Sequence, residues 1–290
     1  MGFARKFRRL IQRKEATNLK KIRRRAVMEP LEPRLLLSAD LSYTMTGASE
    51  DLTLKYDGGS GEIQLLDGST ELAAATLGSE TAAIVAITGT SADNTLSIDF
   101  DNLDALSIES LEISFDGGDG SDTLTINDNL NNPDLDLSIN SKNADSITIA
   151  SGMSLVADDI SIKAETTDDG TFSLFDDLLG FDLGIDLSSL DLNIDDYFLY
   201  ADSSASIDVS GATLAGSNVT LSAISSLDLS VNGGELFDTI GIAAIYAASS
   251  AEVIADGTGM TATGDITMAA TSTVTAVAVT GAGSSTDDQN

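Results

Sequence analysis

Cysteine, histidine and tryptophan occur nowhere in the 290 residues, and proline occurs three times. Without cysteine the chain can form neither disulfides nor thiolate metal centres. Without histidine it lacks the usual general base near neutral pH and the commonest zinc ligand. Ser-His-Asp and Cys-His catalysis are therefore excluded by composition. Cations are scarce too, but only in part of the chain. Residues 1–40 hold twelve Lys and Arg against four acids, whereas residues 41–290 hold Lys55, Lys142 and Lys163 against 42 acids. The net charge is +8 before this boundary and −39 after it, giving −31 for the chain. The body cannot serve as a nucleic-acid binder, because phosphate contacts need cations that it does not have. A long apolar run is missing as well. The longest uncharged stretch, Ile266–Thr286, mixes Thr, Ser and Gly among its Val and Ala, an alternation that suits a strand better than a membrane span.

What is present is apolar alternation with period two. Hydrophobic residues make up 42% of the chain, enough for a core. They fall in short runs: LSYTMTG, LTLKYDGG, EIQLLDG, IVAITGT, TLSIDF, LSIESLEISF, TLTI, LDLSI and SITIA. Gly, Asp, Asn and Ser separate these runs, which predicts short strands joined by turns. Only Pro133 follows Pro33, as a stack of strands requires.

Internal repeats sharpen the prediction. Ile87–Asp99 aligns without a gap on Phe115–Asn127 at an offset of 28, matching Gly89 to Gly117, Asn94 to Asp122, Leu96 to Leu124 and Ile98 to Ile126. Ser146–Ala164, Ser206–Ala223 and Glu252–Ala270 share a second pattern of strand, Gly turn, Leu or Met, small turn and strand. Such units resemble the coils of a parallel β-helix, each of which buries its apolar row only against its neighbours. The spacings from Gly152 to Gly211 and from Gly211 to Gly257 are long, and on this reading imply more than one coil between recognisable units. The expected fold is all-β, a right-handed parallel β-helix or β-solenoid. Three parts are expected: residues 1–40 as a basic N-terminal segment, 41–145 as a β-repeat region, and 146–290 as solenoid repeats. A Phe/Leu/Asp-rich insertion at 171–200 carries Phe172, Phe175, Phe181 and Phe198. It reads either as a cover over the stack or as a partner-binding patch.

One stretch carries candidate metal chemistry. Gly117–Thr125, GGDGSDTLT, fits the nonapeptide G-G-x-G-x-D-x-U-x at every specified position. Glycines allow a tight turn whose carbonyls face a cation, and a carboxylate adds charge for a hard, oxygen-seeking ion. Gly117, Asp119 and Asp122 are the candidate Ca2+ residues, with Asp116 and Asp128 as further carboxylates to test. In the calcium-binding β-roll that this turn resembles, calcium lies between successive turns, so one copy supplies half a site. The neighbouring turn has Asn94 in place of Asp122, and Tyr56–Gln64 has the glycines without the Asp. The same residues therefore also read as a plain Gly/Asp turn between strands.

The N-terminus is a separate matter. Phe3, Phe7, Leu10, Ile11, Leu19 and Ile22 recur at helical spacing among Lys and Arg, which predicts a short basic amphipathic helix. It could meet an anionic membrane or export machinery, or be a solvated arm. Leu31-Glu32-Pro33-Arg34, followed by Leu35, Leu36 and Leu37, resembles the LEPR-XLL motif, matched in full by Leu31–Leu37. The resemblance spans about residues 5–40. Its members are very long, repeat-rich bacterial proteins, and it implies export and a repetitive surface role. On it, Leu31, Glu32, Pro33, Arg34, Leu36 and Leu37 are the targeting residues, and the chain is the N-terminal part of a longer protein. A secretory signal peptide is the rival reading, but Leu35–Leu37 with Ala39 is far short of an apolar core of about 7–15 residues.

Taken together these features imply a non-catalytic, adhesin-like structural protein outside the cell or at its surface. Surface polysaccharide or other surface proteins are its expected partners. Two alternatives remain. One is a calcium-dependent secreted protein. The other is a carbohydrate-active β-helix enzyme, which paired carboxylates could serve but which three scattered lysines and the absence of Trp do not favour.

Overall fold

The computed structural model describes residues 38–47, 50–77, 81–100, 108–144, 146–168, 198–233, 235–236, 240–241 and 244–280. The expected basic helix, the Leu31–Leu37 motif and almost all of the 171–200 insertion lie outside the described residues. Within them the protein is all-β, with mainly parallel sheets. In chain order the strands are β1 (Ser38–Thr44), β2 (Asp51–Asp57), β3 (Glu62–Asp67), β4 (Thr70–Thr76), β5 (Ala82–Thr90), β6 (Thr95–Asp99) and β7 (Ser110–Gly118). Then come β8 (Thr123–Ile126), β9 (Leu130–Asn131), β10 (Asp136–Lys142), β11 (Ser146–Ile149), β12 (Ser154–Val156), β13 (Asp159–Asp168) and β14 (Phe198–Asp208). The last seven are β15 (Thr213–Gly216), β16 (Asn218–Gly233), β17 (Glu235–Leu236), β18 (Ile240–Gly241), β19 (Ala244–Ile254), β20 (Gly259–Ala262) and β21 (Ile266–Thr280).

Three sheets hold nearly all of them. Sheet A runs β1-β5-β7-β10-β13-β16-β21, sheet B runs β19-β14-β11-β8-β6-β2-β3-β4, and sheet C runs β20-β15-β12-β9. From β7 onward the chain passes from A to B to C and returns to A, four times in succession. Each strand pairs in parallel with its counterpart from the previous pass, so like residues lie side by side. Leu41, Val85, Ile113, Ile139, Ile162, Leu221 and Met268 form one row across sheet A. Leu96, Leu124, Ile147 and Ile207 form another in sheet B, and Leu130, Leu155 and Leu214 a third in sheet C. These rows face inward and, Met268 apart, are buried, while the Ser, Thr, Asp and Asn between them face out. The period-two alternation is the cause: on a pleated strand it places one set of side chains in the core and the other in water.

One hydrophobic cluster extends from Leu41 to Ala223. The two repeat patterns found in the sequence thus belong to a single core that passes through position 145 unbroken. The offset-28 alignment is a direct strand register, with Thr95 beside Thr123 and Ile98 beside Ile126. The long spacings have a different meaning from the one expected. Leu155 lies directly beside Leu214, and Leu214 beside Met260, so no further coil intervenes. The extra residues fall between the inward rows of β13 and β14 and of β16 and β19, always at the passage from A to B, and part of them lengthen these four strands.

At one end, sheet B is finished by antiparallel pairing. β2 pairs with β3 and β3 with β4, and a bulge between Leu65 and Leu66 lets both leucines point inward. The Tyr56–Gln64 glycines therefore make a hairpin turn. There the Asp57 carboxylate accepts the Gly59 N–H at 3.0 Å and the Ser60 hydroxyl at 2.9 Å. These hydrogen bonds, the Gly59 amide foremost, hold the Asp57 carboxyl below the usual carboxylate range.

Beyond the main core, the long strands of A and B continue as two facing layers. A small second cluster, Ala201, Leu227 and Leu229, fills the space between them. A serine ladder divides the two clusters. Ser225 Oγ donates to the Ser203 carbonyl at 3.0 Å and lies 2.7 Å from Ser249 Oγ, and Ser272 Oγ reaches Ser249 Oγ at 2.8 Å. Each hydroxyl thereby finds partners on the opposite layer, which is what makes Ser tolerable at a fully buried position such as 225.

Candidate functional site

The glycine-rich turn of the sequence lies at the passage from A to B, between β7 and β8. It rests on the turn between β5 and β6. Asp93 Oδ1 accepts the Ser121 N–H at 2.9 Å, and Asp122 Oδ1 accepts the Asn94 N–H at 2.6 Å. Asn94 Oδ1 in turn accepts the Thr90 N–H at 2.8 Å. Two successive turns are thus laced together by side chains that replace the ladder where the strands bend.

Close packing explains the glycines. A Cβ added at Gly89 would lie 2.1 Å from the Gly117 carbonyl oxygen. One at Gly117 would lie 2.5 Å from Asp122 Oδ2 and 2.7 Å from the Asn143 carbonyl oxygen. Gly118, with φ of 91°, would direct a Cβ to 2.2 Å from the Thr90 carbonyl oxygen. On the following pass Asn143 occupies the same passage with φ of 51°, a left-handed conformation that Asn tolerates. Its Nδ2 reaches Asp116 Oδ1 at 3.2 Å, and its Oδ1 accepts the Thr167 N–H at 3.3 Å.

Of the candidate carboxylates, only Asp122 is buried. Gly117 packs against it. Asp119 lies exposed at the tip of the turn. Asp116 is half-buried, 3.9 Å from Lys142 Nζ. Asp128 lies beyond β8, at the passage from B to C, where its Oδ1 accepts the Asn129 N–H at 2.8 Å. The four do not converge, and among the described residues no three acidic side chains are grouped to hold a metal ion. Calcium takes six to eight oxygens. The turn offers one buried carboxylate, with one of its oxygens already engaged by an amide, so these side chains do not fit that shell.

A second acidic feature escaped the sequence reading. Asp136, Asp159 and Asn218 begin successive strands of sheet A and Asp265 immediately precedes the next; Asp159 and Asn218 are register partners, and the pairs Leu137–Ile160 and Val219–Ile266 lie one residue after the others. Asp159 Oδ1 accepts the Asn218 Nδ2 at 2.8 Å, and Asn218 Oδ1 accepts the Asp265 N–H at 3.0 Å. Desolvation, then the nearby Asp159 and Asp158 charges, raises the Asp136 carboxyl above the ordinary range. Glu112, Asp136 and Asp159 also line a shallow groove on the outer face of β5, β7, β10 and β13. The signal was present in the sequence, as an Asx residue just before each alternating run, but it becomes visible only once register is known. In both features a side chain on one pass bonds to the backbone or a side chain of its neighbour.

No protein-family model, curated protein or solved structure matches the chain.

Proposed function

We propose that this protein is a right-handed parallel β-solenoid that acts as a non-catalytic, adhesin-like structural element, exported to the bacterial cell surface. One observation carries the reading: the repeated passage from sheet A to B to C, with inward aliphatic rows in register and outward Ser, Thr, Asp and Asn. Right-handedness follows from the strong preference of parallel crossovers for that hand. Among the described residues, Asp57, Asp93, Asp122 and Asp159 hydrogen-bond neighbouring backbone or side chains, which supports a structural use. The stiffness of stacked strands suits a rod that holds a hydrated, anionic surface away from its base. The basic residues 1–25 and the Leu31–Leu37 motif supply the address in this reading, and polysaccharide or other surface proteins the contacts.

Export is tested by expressing the full chain in a bacterium whose proteins carry this N-terminal motif and shaving intact cells with protease. Loss of the acidic body from intact cells supports the proposal, and full protection with the cytoplasmic fraction sinks it. The calcium-dependent alternative is separated by circular dichroism with and without millimolar calcium. The proposal expects the same spectrum and melting temperature in both.

A further inference from the structure

Glu50, Asn94 and Asp122 each stand one residue before a strand of sheet B, at passages from A that are stacked on one another. Because Asp51, Thr95 and Thr123 are register partners, the three residues before them form a column inside one corner. Neighbouring strands, and so neighbouring members, lie about 4.7–4.9 Å apart. Each member packs against a glycine. A Cβ added at Gly47, Gly89 or Gly117 would lie 2.8 Å from Glu50 Oε1, 2.7 Å from Asn94 Oδ1 or 2.5 Å from Asp122 Oδ2. One oxygen of each member is engaged by an amide. Glu50 Oε1 accepts the Thr46 N–H at 2.9 Å and also the Gly47 N–H. Asn94 Oδ1 accepts the Thr90 N–H at 2.8 Å, and Asp122 Oδ1 the Asn94 N–H at 2.6 Å. Two atoms of the column are left over. Glu50 Oε2 and Asn94 Nδ2 are shut off from solvent and have no hydrogen-bond partner among the described residues, and Asn94 as a whole is 1% exposed. The ion pairs among the described residues, Lys142 with Asp116 and Lys163 with Glu165, do not involve Glu50.

We infer that this corner is a binding site for a single internal water molecule, which bridges Glu50 Oε2 and Asn94 Nδ2. Chemistry selects the occupant. The Thr90 amide fixes which end of the Asn94 side chain is oxygen, so its nitrogen presents donors only. The Glu50 carboxylate presents an acceptor only. A metal or ammonium ion would meet the Asn94 N–H groups with like polarity, and an anion would meet the Glu50 charge. Water accepts from the first and donates to the second. The spacing agrees, since two hydrogen bonds of about 2.7–3.0 Å meeting at a bent water span the roughly 4.7–4.9 Å between stacked positions. Tyr43 adds support from the inward row of sheet A. Burial, then the Glu50 and Asp67 charges, raises its phenol above the ordinary value, which places its hydroxyl within electrostatic reach of the same carboxylate. Buried waters typically make about three hydrogen bonds to groups that lack other partners, and they are part of the fold. This one ties the turn before β2 to the turn before β6, where the strand ladder is interrupted. The site lies inside the stack and holds whether or not the protein is exported.

Diffraction from crystals of the 290-residue chain, at a resolution that shows ordered water, tests it. The expected result is one peak within about 3.2 Å of both atoms, without the anomalous signal of a metal. In solution, magnetic relaxation dispersion of water oxygen counts the waters held for longer than the molecule tumbles. Glu50→Met keeps the side chain's length and removes the acceptor, so it should lower that count by a single water while circular dichroism shows the sheets intact. Asp119→Ala, at the exposed tip of the Gly117 turn, should leave the count unchanged. Should Glu50→Met fail to fold, diffraction from the unaltered chain decides alone. An empty corner, a direct Glu50–Asn94 hydrogen bond, or a peak that scatters as a metal ion would overturn the inference. An unchanged count in folded Glu50→Met would overturn it as well.

Discussion

Replacing Gly118 by Ala tests whether the turns at the passage from A to B are stacked as closely as described. Two costs should add. The first is conformational: φ of 91° is a region that L-residues rarely enter, and a residue forced there loses about 1–2 kcal/mol. The second is steric. The new Cβ would lie 2.2 Å from the Thr90 carbonyl oxygen, where C–H···O contacts ordinarily lie at about 3.3–3.6 Å. Thr90 and Gly118 are register partners, so opening that gap by about 1 Å disrupts one or two ladder hydrogen bonds, at about 0.5–1.5 kcal/mol each. Gly118→Ala should therefore cost about 1.5–5 kcal/mol. Gly152 supplies the control. Its φ is 85°, but nothing lies within 4 Å of an added Cβ, so Gly152→Ala should incur only the first cost, about 1–2 kcal/mol. Urea unfolding followed by far-ultraviolet circular dichroism compares the two, with the slope checked because stacked repeats can unfold piecewise. Equal midpoints for the two variants would refute the stacking of the Gly118 turn on Thr90.

Other expectations concern single side chains. Asp136 has a raised carboxyl pKa, so between its unfolded and folded values the native state holds more proton than the unfolded state, and stability falls as pH rises through that window. Asp136→Asn should flatten this part of a pH series of melting temperatures; an unchanged slope would remove Asp136 as its source. Asp57, whose carboxyl is lowered, contributes in the opposite sense: its stabilisation is present above the unfolded value and fades as pH falls through the folded one. Ser141 is buried beside Phe115 with an Oγ that has no hydrogen-bond partner, so Ser141→Ala should stabilise by about 1 kcal/mol in urea melts. Ser225→Ala should instead destabilise by about 1–2 kcal/mol, because it leaves the Ser203 and Ser249 hydroxyls short of a partner; a neutral result would make the ladder incidental.

Local chemistry made much of the fold legible in advance. Alternation alone located Ile84–Thr90, Thr95–Phe100 and Thr123–Ile126, because pleating converts it directly into burial. The uncharged run from Ile266 was rightly read as a strand. The match of Asn94 to Asp122 predicted which residues sit side by side, since stacked strands force like positions into register. Spacing misled where the chain leaves the stack. The interval from Gly152 to Gly211 suggested an additional coil, although insertions at a corner lengthen the sequence without adding a layer. The antiparallel hairpin of β2 and β3 was also missed. Its glycines look like those of the Gly117 turn, and only the direction of the returning strand distinguishes them. The serine ladder was invisible for a related reason: Ser203, Ser225, Ser249 and Ser272 are remote in sequence and become neighbours only when the two layers face each other.

The passage from A to B also sets a rule for how such a chain can change in length. Ile139 to Ile162 spans one circuit, and so does Ile162 to Leu221, though the second contains far more residues. Strand register is the same in both, because the additional residues all fall at one corner, part of them as extensions of β13 and β14. Closing a longer loop costs little, about 0.6 kcal/mol for each doubling of its length. That corner is therefore a natural splice point. Foreign sequence inserted between Gly233 and Ala244 should be carried on the side of the stack without disturbing the rows beneath it, which makes the molecule a scaffold for grafted peptides.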